Sequence, residues 1–324
     1  MSFDIDYQSE GFPPSSPIIE GSATLAATWD ELLWAALTVG RPNRQYVFRH
    51  GDASLYEAIF RISLVRMSLE QQGASSVRLR RTEAAQTLDP SEKGAVNYFL
   101  GLAFGKLFAA KLLNTPWLLH LDVFRPELNP VLTGRSRPDL IGQAHDGSWT
   151  VLECKGRVAP PGRDAIAKAK EQALRVVRIN SAVPTYCIGA ITYFRDNVVQ
   201  FRWDDPKPDP RHSEGELTFT TDDQHWRHYY APILALLISV NGDSLELMRK
   251  KPVFMPCKDV DIDIGIHPEV LNLLLKSRWG AARAVALRLE MQGDLQIYQK
   301  DGIAVVAGQT WLEPFKENFK NSES

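Results

Sequence analysis

The stretch that decides the fold runs from Arg137 to Lys155 and reads RPDLIGQAHDGSWTVLECK. Apolar residues dominate positions 138–143 and 149–154, whereas the residues between them, 145–148, are polar and include a glycine. Short apolar segments on both sides of a glycine-containing turn are typical of paired strands. The stretch therefore predicts two adjacent strands, with a third at 117–124 completing a meander.

Three polar side chains converge on this predicted strand pair. Alternate residues of a strand share a face, so Glu153 and Lys155 point to one side while Leu152 and Cys154 pack into the core. Pairing through the turn brings Asp139 beside Glu153, and two neighbouring carboxylates repel each other unless a cation joins them. Mg²⁺ prefers such oxygen ligands and lowers the pKa of a bound water. Lys155 would orient or deprotonate that water, or balance the developing negative charge.

The alternative interpretation of the same residues is structural. Asp139 would cap a turn, and Glu153 with Lys155 would form an ordinary ion pair on a solvent-facing strand, worth about 0–1 kcal/mol.

Helical patterns flank the strands. Asp89-Pro90-Ser91-Glu92 carries the capping and first-turn residues of a helix start, and apolar residues at helical spacing continue it to Phe108. A second helix is predicted over 164–180, followed by strands at 185–193 and 198–203. The predicted order is helix, three strands, helix, two strands.

At these residues the sequence resembles the PD-(D/E)XK, or restriction-endonuclease-like, superfamily of nucleases, whose pattern is met literally by Pro138-Asp139 and Glu153-Cys154-Lys155. The resemblance implies an α/β fold with a mixed central sheet flanked by helices. It also implies metal-dependent phosphodiester hydrolysis, with Mg²⁺ as cofactor and Mn²⁺ able to substitute. Asp139, Glu153 and Lys155 would be catalytic, and Glu92, from the first core helix, would join the two other carboxylates as a metal ligand.

The predicted nucleic-acid-binding surface lies after the motif. The superfamily often has a polar residue on the helix that follows the motif, which is predicted here over 164–180. The matching positions are Lys168, Lys170 and Gln172. Two further basic residues, Arg175 and Arg178, extend the predicted surface. The formal net charge of −2 argues against binding through a global field, so any such surface must be local. A solvated helix face is the alternative for this set. A second candidate is the cluster Arg78, Arg80 and Arg81.

Three sections are predicted along the chain. Residues 1–88 form an N-terminal arm, irregular to residue 22, and a helical section; 89–205 form the nuclease core; and 206–324 form a smaller C-terminal α/β section that begins with a proline-rich linker. Two minor site hypotheses remain there: a cation site at Asp259, Asp261 and Asp263, and a metal or base-stacking cluster at His225, Trp226, His228 and Tyr229. Solvated or packing roles are the alternatives for both.

Composition excludes several classes of protein. With 44% hydrophobic and 23% charged residues, the chain is typical of a globular protein. Cys154, Cys187 and Cys257 are too few and too scattered for a disulfide framework or a zinc site. No secretory signal is recognisable in 1–21, and the apolar stretch Ala231–Val240 is about half of the roughly 20 residues that span a bilayer. These features predict a soluble cytoplasmic protein without a membrane partner, and the absence of a P-loop predicts no ATPase activity.

The expected function is therefore a metal-dependent endonuclease. Most members of the superfamily act on DNA, which places DNA ahead of RNA as substrate, and restriction or anti-phage defence is the expected setting. A second copy of the chain or a defence-system protein would be its partner. The alternative is a catalytically inactive nucleic-acid-binding or partner-binding protein on the same fold.

Overall fold

A computed structural model describes most of the chain. The described residues are 2–39, 52–71, 77–121, 131–132, 137–144, 146–179, 182–205, 217–219, 225–241, 254–295, 297–313 and 315. They form a mixed α/β fold with a mixed central sheet flanked by helices, which confirms the predicted class at this level.

Among the described residues, the central sheet has nine strands. Seven follow one another across it in the order β2 (Gly21–Thr28), β1 (Ser2–Glu10), β11 (Val198–Asp204), β10 (Tyr186–Arg195), β8 (Trp149–Gly156), β7 (Leu140–Gln143) and β5 (Trp117–His120). The short strands β3 (Leu69–Gln71) and β4 (Leu79–Arg81) extend it beside β11. β1 pairs with β11 and β8 with β10 in parallel, and the other neighbours along the sheet are antiparallel.

The predicted meander is present as β5, β7 and β8. Leu140 pairs with Leu152, so Asp139, one residue before β7, arrives next to the middle of β8. Gly147 in the connecting turn has φ of 86°, in the left-handed region that glycine adopts without strain. Leu152 and Cys154 are buried, as the alternation predicted.

Helices cover both faces of β8. On one face, α4 (Pro90–Leu112) lies so close that a Cβ on Gly101 would be 2.8 Å from the backbone nitrogen of Gly156. On the other face lies α5 (Arg163–Ala173), and a Cβ on Gly189 of β10 would be 2.8 Å from the backbone nitrogen of Lys170. Gly189 pairs with Glu153, and paired residues point to the same face. Glu153 therefore projects toward the α5 side.

The N-terminal section differs from the prediction. Residues 1–22 were expected to be irregular, but β1 and the start of β2 belong to the central sheet, and only the proline-containing connection between them is irregular. Phe3, Ile5 and Tyr7 are buried and alternate with more exposed residues, which is the period-two pattern of a half-buried strand. The predicted helices follow as α1 (Trp29–Thr38), α2 (Asp52–Ser68) and the short α3 (Glu83–Thr87).

The helix predicted over 164–180 is also shorter than expected. α5 ends at Ala173, and Val176–Ile179 form strand β9 of a separate sheet with β6 (Val131–Leu132) and β12 (Leu217–Phe219). The β-branched residues Val176, Val177 and Ile179 fit a strand better than a helix end.

The C-terminal section contains α6 (His225–Asn241) and a third sheet of β13 (Met255–Cys257), β14 (Ile262–Ile266) and β15 (Ile303–Ala307), with α7 (Pro268–Leu274) and α8 (Trp279–Gln292) between its last two strands. The sequence predicts strands at 295–298 and 303–306 in this section. β15 confirms the second, whereas the described residues of 295–298 are not in a strand, and β14 was not predicted. The predicted linker after Asp205 and a further strand predicted near Val253 lie outside the described residues.

A fully buried polar network joins the three sections. Lys106 of α4 donates to the Tyr229 hydroxyl of α6 at 2.7 Å, and that hydroxyl donates to Asp301 Oδ2 at 2.5 Å. Trp34 of α1 donates to the same oxygen at 2.9 Å, and the Tyr230 hydroxyl donates to the Asp301 carbonyl at 2.9 Å. Lys106 and Asp301 are both 0% exposed. The network thus holds the C-terminal section to α4, the helix that packs against the central sheet.

Helix α4 is long and apolar enough by length and composition to span a membrane. However, 72% of its apolar window is buried inside the protein, which is compatible with the core helix of a soluble protein. The sequence analysis compared only Ala231–Val240 with a bilayer span and did not consider this helix, whose apolar stretch is interrupted by Lys106.

Candidate functional site

Asp139, Glu153 and Lys155 meet at the β7–β8 pair, as the sequence predicted. Glu153 is 1% exposed, and its carboxyl group lies close enough to that of Asp139 for the charge of Asp139 to raise the pKa of Glu153. Lys155, two residues further along β8, donates a short hydrogen bond from Nζ to Glu153 Oε1. Its side chain is 36% exposed, so the ammonium lies between the buried carboxylates and solvent.

Burial makes this carboxylate pair costly to ionise. Burial, reinforced by the charge of Asp139, raises the pKa of Glu153 to about 8 even with Lys155 beside it. Burial also raises the pKa of Asp139, against the opposing effects of the Cys154 amide and Lys155. A surface ion pair would not show such shifts, since solvated carboxylates keep nearly ordinary pKa values. Perturbed, clustered carboxylates are instead typical of functional sites.

The donor set fits a magnesium ion. Glu153 Oε2 is buried and accepts no hydrogen bond among the described residues, so one oxygen is available to a cation. No group of three or more His, Cys, Asp or Glu side chains that could hold a metal is found in the described part of the chain. Mg²⁺ does not require one, since it typically takes one or two carboxylates and completes its octahedron with water and substrate phosphate oxygens.

Glu92 has a different role from the predicted one. Asp89 is the N-cap of α4, and its Oδ1 accepts from the backbone nitrogen of Ser91 at 2.7 Å. Glu92 reaches back to the backbone nitrogen of Asp89 at 3.3 Å, which completes a capping box. Its carboxylate is exposed, and it forms no metal-binding group with Asp139 and Glu153 in the described part of the chain. The sequence prediction allowed Ser91 or Asp89 as the cap but considered a capping box only with Ser91, so it overlooked the Asp-x-x-Glu box.

The predicted nucleic-acid-binding residues do not form one helix face. Lys168 is exposed on α5, whereas the half-buried Lys170 lies near Asp204 and Asp205. Burial raises the pKa of both aspartates, and the charge of Lys170 opposes that rise. Arg175 follows the helix, and Arg178 is exposed on β9. The half-buried Gln172 lies in the last turn of α5. Among these five residues, Lys168 is therefore the one that lies on α5 with its charge exposed to solvent.

The other basic cluster has structural contacts. Arg78 forms an ion pair with Asp6 at 2.5 Å. Arg81 donates to Asn197 Oδ1 at 2.6 Å, and its guanidinium lies 4.8 Å from the ring centroid of Phe194. These contacts hold the β4 region against its neighbours.

The structure corrects the first minor hypothesis and the base-stacking part of the second. Asp261 is not in a strand but has a left-handed backbone, and its carboxylate accepts from the backbone and hydroxyl of Thr310. Asp259 lies in a short 3-10 helix, so the aspartates do not share a strand face. Trp226 and Tyr229 are buried core residues rather than a stacking platform, and the side chain of His225 lies outside the described residues.

Two residues that the sequence reasoning missed contact Asp139. The Tyr98 hydroxyl lies 3.4 Å from Asp139 Oδ1 and 3.3 Å from His120 Nε2. The available signal was His120 itself, a polar residue ending the apolar strand Trp117–His120.

Comparison with protein families, curated proteins and solved structures gives no match for this chain. The function of the chain is therefore inferred from the chemistry of the site itself.

The raised pKa of Glu153 gives a testable pH dependence. The unfolded chain releases this proton near the ordinary value of 4.5, and the folded protein near 8, so the folded state loses stability as pH rises between these values. Glu153→Gln cannot ionise and should escape this loss. We expect its melting temperature in EDTA to match that of the parent near pH 4.5 and to exceed it increasingly toward pH 8.5. Glu171→Gln, at an exposed position of α5, is the control. Equal melting temperatures of Glu153→Gln and the parent at pH 8.5 would refute the raised pKa of Glu153.

Proposed function

We propose that this chain is a metal-dependent nuclease of the PD-(D/E)XK type. The observation that carries the proposal is the convergence of Asp139, Glu153 and Lys155 on one strand pair, with a buried Glu153 oxygen that accepts no hydrogen bond from the described residues. The mixed sheet with helices on both faces supports a restriction-endonuclease-like core. The complete trio argues against the inactive binding protein.

Each residue has a distinct task in the proposed reaction. Asp139 and Glu153 would hold Mg²⁺, or Mn²⁺ in its place. When bound, the ion supplies charge stabilisation and a water of lowered pKa. Lys155 extends from the buried pair toward solvent, so its ammonium would orient the attacking water and balance negative charge developing on the phosphate. The Cys154 amide donates to Asp139 Oδ2 at 2.9 Å and fixes that carboxylate.

Substrate and setting follow from the resemblance. DNA is proposed ahead of RNA, with a restriction or anti-phage role in the cytoplasm. A second copy of the chain or a defence-system protein is the proposed partner.

A cleavage panel tests the activity. Supercoiled plasmid, linear duplex, single-stranded DNA and RNA are each incubated with Mg²⁺, Mn²⁺, Ca²⁺ or excess EDTA. We expect cleavage of DNA with Mg²⁺ or Mn²⁺ and little turnover with Ca²⁺, which takes more ligands in looser geometry and polarises its water less. Cleavage of RNA alone would mean that the substrate is RNA rather than DNA. No cleavage of any substrate would contradict the proposal.

Substrate binding is expected to involve the exposed cation of α5. Lys168→Glu should weaken duplex DNA binding and reduce the slope of log affinity against log salt by at least about 0.9, the contribution of one lost phosphate contact. Lys170→Glu, beside Asp204 and Asp205, should change the slope less. Binding by fluorescence anisotropy across a salt series measures both slopes. An unchanged slope in Lys168→Glu would place the binding surface elsewhere.

A further inference from the structure

The orientation of the Asp139 carboxylate is fixed from two sides. The Cys154 backbone nitrogen on β8 donates to Oδ2 at 2.9 Å, and the Tyr98 hydroxyl on α4 donates to Oδ1 at 3.4 Å. Each oxygen thus receives a donor from a different element. A carboxylate oxygen has more than one acceptor site, so both oxygens can still face a cation.

His120 supports the second donor. It is 1% exposed, and its Nε2 lies 3.3 Å from the Tyr98 hydroxyl and 4.0 Å from Asp139 Oδ1. A tyrosine hydroxyl carries one proton, so when it donates to Asp139 it can only accept from His120. Hydrogen bonding then runs in one direction, from His120 Nε2–H to the Tyr98 oxygen and from the Tyr98 hydrogen to Asp139. Burial and the charge of Asp139 raise the pKa of Tyr98, which keeps its hydroxyl protonated as a donor.

We propose that Tyr98 and His120 are positioning residues that hold the Asp139 carboxylate in its metal-binding orientation. The inference rests on the proposed function, since it assumes that Asp139 is a metal ligand. His120 acts through the Tyr98 hydroxyl, and neither residue takes part in the bond-breaking step. Groups that hydrogen-bond to metal ligands typically contribute about 10- to 100-fold to metal affinity.

The direct test is the dissociation constant of Mn²⁺, measured by electron paramagnetic resonance on the full chain. Tyr98→Phe keeps the ring and removes the hydroxyl, and we expect it to weaken Mn²⁺ binding about 10-fold or more. His120→Leu should weaken binding in the same direction, and His120→Gln should restore it because the glutamine amide can donate in place of Nε2. The double variant Tyr98→Phe/His120→Leu should bind no more weakly than Tyr98→Phe alone, because His120 acts only through the hydroxyl.

Tyr186→Phe is the matched control. Tyr186 lies on β10, three positions before the residue that pairs with Glu153, and its ring packs 6.1 Å from that of Phe12. This variant should bind Mn²⁺ like the parent, and melting temperatures monitor the folding of every variant. Should His120→Leu fail to fold, Tyr98→Phe and His120→Gln carry the test.

Asp139→Asn separates failure of this inference from failure of the proposed function. If Asp139→Asn binds Mn²⁺ as tightly as the parent, the metal site itself is wrong. If Asp139→Asn loses binding while Tyr98→Phe keeps the parent's affinity, the site stands and the positioning role is overturned. Additive losses in the double variant would equally overturn the relay through Tyr98.

Discussion

Asp301→Ala should lower the free energy of unfolding by about 3–5 kcal/mol, the usual cost of removing one partner from a buried charge pair. Asp301 is fully buried, accepts from Trp34, Tyr229 and the backbone of Ile303, and offsets the charge of Lys106. Burial lowers the pKa of Lys106 to about 7 against the opposing charge of Asp301, so removing Asp301 leaves these donors without an acceptor and Lys106 buried without a compensating charge. Because the network joins α1, α4 and α6, the whole unfolding transition should shift.

Urea denaturation at pH 7 measures this effect, with Asp294→Ala, at an exposed position nearby in sequence, as the control. The double variant Lys106→Met/Asp301→Leu should recover part of the loss, since an apolar pair avoids the desolvation of two charges. A loss below about 1 kcal/mol in Asp301→Ala would mean that the network does not stabilise the fold.

Local patterns in the sequence were sufficient for the meander and for the convergence of Asp139, Glu153 and Lys155. Asp139 directly precedes β7 and Glu153 lies on β8, which follows after a short turn, so strand pairing brings the two residues together. The core helix from Pro90 was equally visible because its capping residues precede a long apolar pattern.

Pairings between distant parts of the chain could not be read in this way. β1 pairs with β11 through contacts such as Asp6 with Gln200, and nothing local connects those segments. The prolines after β1 outweighed its clear alternation, which produced the wrong prediction of an irregular arm. The sequence shows Lys106 as a charged residue within an apolar helix. That Asp301 offsets this charge depends on tertiary packing and could not be predicted.

The candidate site shows the same limit. Tyr98 reaches Asp139 from a helix and His120 from another strand, so only the folded structure brings these residues together. The capping box of Glu92 was not predicted because Asp89 was not considered as its partner, although both residues were in view.

Asp139→Asn and Glu153→Gln should each reduce DNA cleavage on the order of 10³-fold while leaving the fold intact. A bound ion contributes several kcal/mol to such reactions, and each 1.36 kcal/mol corresponds to about tenfold in rate. Both substitutions keep the shape of the side chain and remove the charge that holds the ion. Lys155→Met should also remove activity, because it loses the ammonium beside Glu153 without emptying the core. Single-turnover rates with circular dichroism spectra measure activity and fold together, and Glu171→Gln should behave like the parent.

The most direct test of the central claim is plasmid cleavage by the parent and Glu153→Ala, purified side by side and assayed in Mg²⁺ and in excess EDTA. A metal-dependent site at Asp139, Glu153 and Lys155 predicts cleavage by the parent in Mg²⁺ alone, and none by the variant in either condition. Cleavage by a correctly folded Glu153→Ala at the parent's rate, or undiminished cleavage by the parent in EDTA, would contradict it.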